Sequence, residues 1–246
     1  MPRIKTQHKD VLRDGDVKKM LGLTTLLEAT HRPVVYKFRD EKGNEQTEEL
    51  TIHYGMVKAL ICLLYLFGKR ITEVLQLRRG DLWSKRGFLY VRFHILKKKR
   101  RTDLSLPQMK VKRVSIKAQK PFITPIVDYA TTLNDMNMPL FPGKSRPHTQ
   151  IVKRKDKEGK VVKVYEYKIK REGIMSRVQA YKILKSLDVG AYPHWFRHSL
   201  ATQLAEEGFT PWELKEWFDW SRFQTAVNYV EGTPSMTERI SKRKVG

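Results

Sequence analysis

The run His194-Trp195-Phe196-Arg197-His198, followed by Trp220 and then Tyr229, decides how this chain is read. Arg197 precedes Trp220 by 23 positions, and Trp220 precedes Tyr229 by nine. A His-x-x-Arg pair arises by chance in many basic chains, so the two intervals behind it carry the weight. His194 and Arg197 are three apart, and one helical face can present both. Nine residues along one continuous helix would set Trp220 and Tyr229 on opposite faces. Asp219-Trp220-Ser221-Arg222 is therefore expected to break one helix from the next, so that both side chains converge.

A second motif lies upstream. Gly68-Lys69-Arg70-Ile71-Thr72-Glu73 closes the hydrophobic helix expected from Tyr54 to Phe67. Arg70 and Arg197 would supply permanently charged, planar forks that match phosphate oxygens better than Lys does. Glu73, three positions after Arg70, can orient that guanidinium. A free imidazole titrates near pH 6.5 and can give or take a proton at neutral pH. A tyrosine, with a free pKa of about 10, makes a covalent nucleophile once its proton is removed. Taken singly, each arginine also reads as half of a surface salt bridge, Glu73 as a solvated charge and Trp220 as core.

The charge points the same way. The 246 residues carry a formal net charge of +23, with a sequence pI near 10.1. Residues 92–120 hold eleven Lys or Arg against Asp103 alone. Residues 144–171 hold eleven against Asp156, Glu158 and Glu166. Clustering of this kind around apparent strands fits contact with a nucleic-acid backbone better than two solvated loops. The single cysteine, Cys62, sits within Leu60-Ile61-Cys62-Leu63-Leu64 and reads as core. No secretory signal or membrane-length apolar stretch is visible, so a soluble, cytoplasmic protein is expected.

Periodicity gives the organisation. Helices are expected over 14–27, 54–67, 121–133, 176–187 and 194–207, with the apolar face of Ile71, Val74, Leu75 and Leu77 continuing a helix to Gly80-Asp81. Strands are expected over 34–38 and 47–52, around a Gly43-Asn44 turn. Further strands are expected at 87–96 with its partner 111–116, and in a basic hairpin between 152 and 169. Thr210-Pro211-Trp212-Glu213 is a capping box with Pro at the first helical position. His194 and His198 are four apart, yet Trp195 replaces the Glu of a zinc-binding His-Glu-x-x-His, and no metal is expected. Gly143-Lys144-Ser145 resembles the end of a phosphate-binding loop, but Met138 stands where its first Gly belongs, so no ATP site or other cofactor is implied.

The order Arg70, His194-x-x-Arg197, Trp220, Tyr229 resembles the catalytic domain of the tyrosine recombinases, or phage integrases, from about Val11 to Val230. The resemblance implies an α+β fold, mainly helical, with a small antiparallel sheet and inserted basic β-hairpins. It implies site-specific DNA recombination through a 3′-phosphotyrosyl intermediate, with no metal or ATP and with double-stranded DNA as partner. Tyr229 becomes the nucleophile, Arg70, His194, Arg197 and Trp220 its catalytic companions, and Glu73 and His198 supporting residues, the latter as packing. The family also places a general-acid Lys on the hairpin after the first Arg. Lys97 is the last residue that strand would carry toward the site; Lys98 and Lys99 follow it, and a shorter hairpin would land on His94. Lys98, Lys99, Arg100 and Arg101, with Lys153, Arg154, Lys155 and Lys157 of the second hairpin, are expected to hold DNA.

Residues 1–246 are expected to form one catalytic domain, because Arg70 comes too early for the helical DNA-binding domain that usually precedes it. That leaves a minimal enzyme or a catalytic fragment. Tetramers on DNA are implied, with a monomer in solution as the alternative, and the tail 231–246 is expected to link protomers. Rival readings are a type IB topoisomerase or telomere resolvase, and a DNA-binding protein that has lost catalysis.

Overall fold

The computed structural model describes residues 11–29, 34–39, 45–50, 53–95, 108–143, 147–155, 161–169, 173–186 and 192–231. The helices are α1 (Asp14–Ala29), α2 (Tyr54–Phe67), α3 (Ile71–Leu75), α4 (Lys120–Thr131), α5 (Arg177–Ser186), α6 (Pro193–Glu206), α7 (Pro211–Phe218) and α8 (Phe223–Glu231). The strands are β1 (Val34–Arg39), β2 (Glu45–Leu50), β3 (Leu82–Lys85), β4 (Phe88–Ile95), β5 (Gln108–Ser115), β6 (Pro147–Lys155) and β7 (Val161–Ile169). They make two hairpins, β1-β2 and β6-β7, and an antiparallel sheet in the order β3-β4-β5. The fold is α+β and mainly helical, as the sequence implied.

The core is organised around α2. Apart from Tyr54, Gly55 and Lys58, every residue of α2 is buried, which marks a helix surrounded on all sides. Its neighbours are α1, α4 and α6. Lys58 escapes the core by reaching Glu28 at 2.9 Å. Cys62 is fully buried, and burial pushes its thiol up to about 12, so it stays protonated. Strand β4 alternates strictly, with Leu89, Val91, Phe93 and Ile95 facing the core.

A second, smaller core lies beside the first, built from Ala201 and Ala205 of α6, Leu214 and Phe218 of α7, and Ala226 of α8. The three alanines let these helices approach closely, and Trp220 and Tyr229 pack on the cluster. Trp217 touches both cores and joins them.

Two expectations needed correction. The apolar face from Ile71 to Asp81 is not one helix: α3 ends at Leu75 and a separate 3₁₀ turn covers Arg79–Asp81. The Leu77 carbonyl instead accepts from the Leu140 N–H at 2.8 Å, and Arg78 bridges Pro139. Tertiary backbone pairing there outcompetes helix continuation. Strand β3 was not anticipated; it completes the sheet by pairing Leu82 with Val91 and Lys85 with Phe88.

Candidate active site

Three chain breaks build the site. The first is the end of α2. Gly68 caps it in the left-handed region, at φ +55°, and a Cβ there would lie 2.6 Å from the Phe218 ring. Only glycine meets both demands. The turn lets the next residues reverse, so that Lys69 is buried and Arg70 caps the start of α3. Glu73, fully buried, accepts from Arg70 Nη1 at 2.8 Å through one oxygen and from the Arg70 backbone N–H at 3.1 Å through the other. It thus grips both the side chain and the backbone of Arg70.

The second break is the start of α6, with Pro193 at its first position. His194 stands exposed in that first turn. Arg197 is buried, and donates from Nη1 to the Gly68 carbonyl at 2.8 Å and from Nη2 to the Phe218 carbonyl at 2.5 Å. Its guanidinium also lies 5.0 Å from the Phe218 ring and 5.5 Å from the Trp220 ring. Burial and then Arg70 lower its pKa to about 10, which leaves it charged at neutral pH.

The third break separates α7 from α8, as the nine-residue interval required. Asp219 ends α7 in the left-handed region, at φ +53°. Trp220 then stacks on Tyr229 with ring centres 5.2 Å apart and planes within 7°. His198 contacts the same tyrosine. Its Nδ1 lies 3.0 Å from Tyr229 Oη, so it does more than the packing expected of it. Burial raises the Tyr229 pKa above the usual value and Arg197 opposes the shift.

Sequence reasoning missed a cluster of ions behind these residues. Lys69 Nζ pairs with Asp219 Oδ2 in a fully buried contact, and Lys110 Nζ lies 2.7 Å from Asp219 Oδ1. Burial alone would raise the Asp219 carboxyl, but Lys69 and Lys110 outweigh it and hold it below its usual value. Burial lowers Lys69 to about 8 despite Asp219. Register explains the direction of approach from β5. Lys110 pairs with Phe93 and Lys112 with Val91, so both occupy the core-facing register.

These cations also finish α7. A helix leaves its last carbonyls without partners and carries partial negative charge there. Here Lys112 donates to the Glu216 carbonyl at 3.1 Å, Lys69 to Trp217 at 2.9 Å, and Arg197 to Phe218. The one available signal was Lys69 itself, a lysine directly behind an apolar run ending Leu66-Phe67-Gly68.

Lys97, Lys98, Lys99, Arg100, Arg101 and Lys157 lie outside the described residues, as does the tail 232–246. Lys153, Arg154 and Lys155 fall on β6, where Lys153 is the register partner of Lys163. Among the described residues, no three His, Cys, Asp or Glu converge as a metal ion would require. No helix among them is long and apolar enough to cross a membrane.

The model of the phage integrase family matches residues 44–236, which takes in all three chain breaks. The chain belongs to the phage integrase family. Among family members, tyrosine recombinase XerD of Staphylococcus epidermidis is 24% identical over 200 residues. That match covers 79% of this chain and 57% of XerD, so the chain spans little more than half that relative's length. Among solved structures, the fold resembles the XerH site-specific recombinase bound to its difH substrate in a pre-cleavage complex. The TM-score is 0.51 at 13% identity, covering 95% of this chain and 53% of XerH. XerA recombinase gives 0.53 at 11% identity, covering 100% and 68%. At such identities the likeness is one of fold.

Proposed function

We propose that this integrase-family chain cuts and rejoins double-stranded DNA at specific sites, as a recombinase, through a 3′-phosphotyrosyl bond at Tyr229. The observation that carries this reading is that three separate chain breaks bring Tyr229, Trp220 and Arg197 together, with Arg70 close enough to act on Arg197. A phosphodiester repels nucleophiles, and fixed cations around it offset the charge that develops during attack. Arg70 and Arg197 supply those cations, and the Trp220 indole N–H donates to a non-bridging oxygen. His194, exposed at the start of α6, meets the incoming backbone. Lys97 protonates the departing 5′ oxygen.

Because the phosphodiester energy is kept in the protein–DNA bond, neither ATP nor a metal ion enters the cycle. Lys98, Lys99, Arg100 and Arg101 and, on the β6-β7 hairpin, Lys153, Arg154, Lys155 and Lys157 grip the DNA backbone. The chain assembles as a tetramer on two DNA sites in the cytoplasm, at the nucleoid.

The test is incubation with nicked suicide duplexes cut from the DNA that flanks its own coding sequence. The expected products are a covalent protein–DNA adduct with a free 5′ hydroxyl, and strands joined between two duplexes. Relaxation of supercoils with no joined strands would make it a topoisomerase-like enzyme. Binding with no adduct would make it a DNA-binding protein without catalysis.

A further inference from the structure

We propose that His198, the residue after the second arginine of the motif, accepts the phenolic proton of Tyr229 as the tyrosine attacks DNA. The inference rests on the recombinase reading and adds to it the destination of the proton. His198 Nδ1 is 3.0 Å from Tyr229 Oη, within the range of direct proton transfer. The two rings are 5.3 Å apart and tilted by 50°, while Trp220 lies nearly parallel to the phenol. The phenol is thus held between an acceptor for its proton and a flat ring that fixes its plane.

Neighbouring positions on α6 divide the work. Successive helical residues point about 100° apart. Arg197 therefore turns into the crossing of Gly68 and Phe218, while His198 turns toward α8. A base at this spot answers a need. Burial makes the Tyr229 proton harder to remove, with Arg197 alone opposing. Of the charged groups around the pair, Arg197 acts on the phenol directly, and Arg70, Glu73 and Asp219 act on Arg197.

The step balances. Neutral His198 carries its proton on Nε2 and presents the Nδ1 lone pair. Tyr229 Oη attacks the scissile phosphorus, and its proton passes to Nδ1. The P–O5′ bond breaks, and the 5′ oxygen takes a proton from the acid on the β4-β5 hairpin. On rejoining, the 5′ hydroxyl attacks, the P–Oη bond breaks, and Nδ1 returns the proton to Oη.

The experiment compares wild type, His198→Ala and His198→Asn in single-turnover cleavage of the flank-derived suicide duplexes, from pH 6 to 9.5. His198→Ala is expected to bind the duplex as wild type does and to cleave it about a hundredfold more slowly. Its residual rate should climb about tenfold per pH unit, tracking the phenolate fraction, and added imidazole should restore part of it. His198→Asn keeps a polar group near Nδ1 but cannot take up a proton, so it should be as slow as His198→Ala. A wild-type rate in His198→Ala, or an Asn variant with wild-type rate and pH profile, overturns the inference while leaving the recombinase reading intact. A wild type that forms no adduct at any pH sinks both.

Discussion

Around Tyr229 the contacts are between rings, with one hydrogen bond; around Asp219, ten residues earlier, they are between full charges. The tyrosine is half-buried and held by Trp220 and His198. The aspartate is buried, with one lysine from the α2–α3 turn and another from β5 on its two oxygens. Stacking and a single hydrogen bond leave the phenol freer to shift, as the proposed attack on DNA requires. A buried ion cluster has no such freedom, because breaking any pair strands a charge away from water. The molecule thus places a movable side chain on a fixed base, and Arg197 borders both: its guanidinium lies 5.5 Å from the Trp220 ring, and its carbonyl partners are Gly68, beside Lys69, and Phe218, beside Asp219.

Arg197→Lys should therefore do the most damage. A lysine cannot span two carbonyls with a planar fork. Loss of cleavage should reach about a thousandfold, the upper range for removing a charge-stabilising group. A single-turnover rate within tenfold of wild type would show that Arg197 does not link the two clusters.

Lys69→Met tests the fixed base alone. It leaves Asp219 with one of its two cations, and removing one partner of a buried pair costs about 3–5 kcal/mol. Thermal or urea unfolding should show that loss, and Lys69→Met with Asp219→Asn should recover much of it. The pH dependence has a definite sign. Folded Lys69 titrates at about 8, below its unfolded value of about 10.4, so the unfolded chain binds more protons between those values. The stability contributed by this residue then rises from pH 8 upward, and the gap between wild type and Lys69→Met should widen. A single variant as stable as wild type would mean that the lysine is merely tolerated.

The two clusters were unequally legible in the sequence. The movable one was visible because its residues sit at fixed intervals along helices. The nine-residue spacing required the break at Asp219–Arg222, and α7 and α8 separate there. Helix α2 and strand β4 were readable from apolar runs and alternation. The fixed cluster joins Lys69, Lys110 and Asp219, which are far apart in the chain and ordinary in type. Nothing local distinguishes Lys110 from the other basic residues of 92–120; its role follows from the β4-β5 register, which pairs it with Phe93. The short α3 was misjudged for a similar reason, since Leu77 leaves the helix to pair with Leu140. His198 was read as packing because one helical turn from His194 does not reveal which helix it faces.

Trp220→Ala acts on the movable cluster and should also cost some stability, visible in thermal unfolding, since Trp220 packs on the second core and stacks on Phe218. Cleavage should drop about a hundredfold through loss of the indole donor and the stacked ring. Trp220→His retains a ring and an N–H, and should fall between Ala and wild type in the same rate assay. Equal rates for all three would remove Trp220 from the site.

The smallest effect on chemistry lies outside both clusters. Neutralising Lys153, Arg154, Lys155 and Lys157 together should weaken binding to all DNA sequences alike. Each lost phosphate contact should lower the log–log salt slope by about 0.9. An unchanged slope would mean that the β6-β7 hairpin does not touch DNA.

The central claim is that Tyr229 forms the bond to DNA, and mapping the adduct tests it most directly. Trypsin should release Phe223–Arg239 as one peptide, in which Tyr229 is the only tyrosine. After nuclease trimming, mass spectrometry of the wild-type adduct should find this peptide carrying a nucleotide through its 3′ phosphate, and Tyr229→Phe should bind the same duplex with no adduct. A nucleotide on any other peptide, or an undiminished adduct in Tyr229→Phe, would contradict the account.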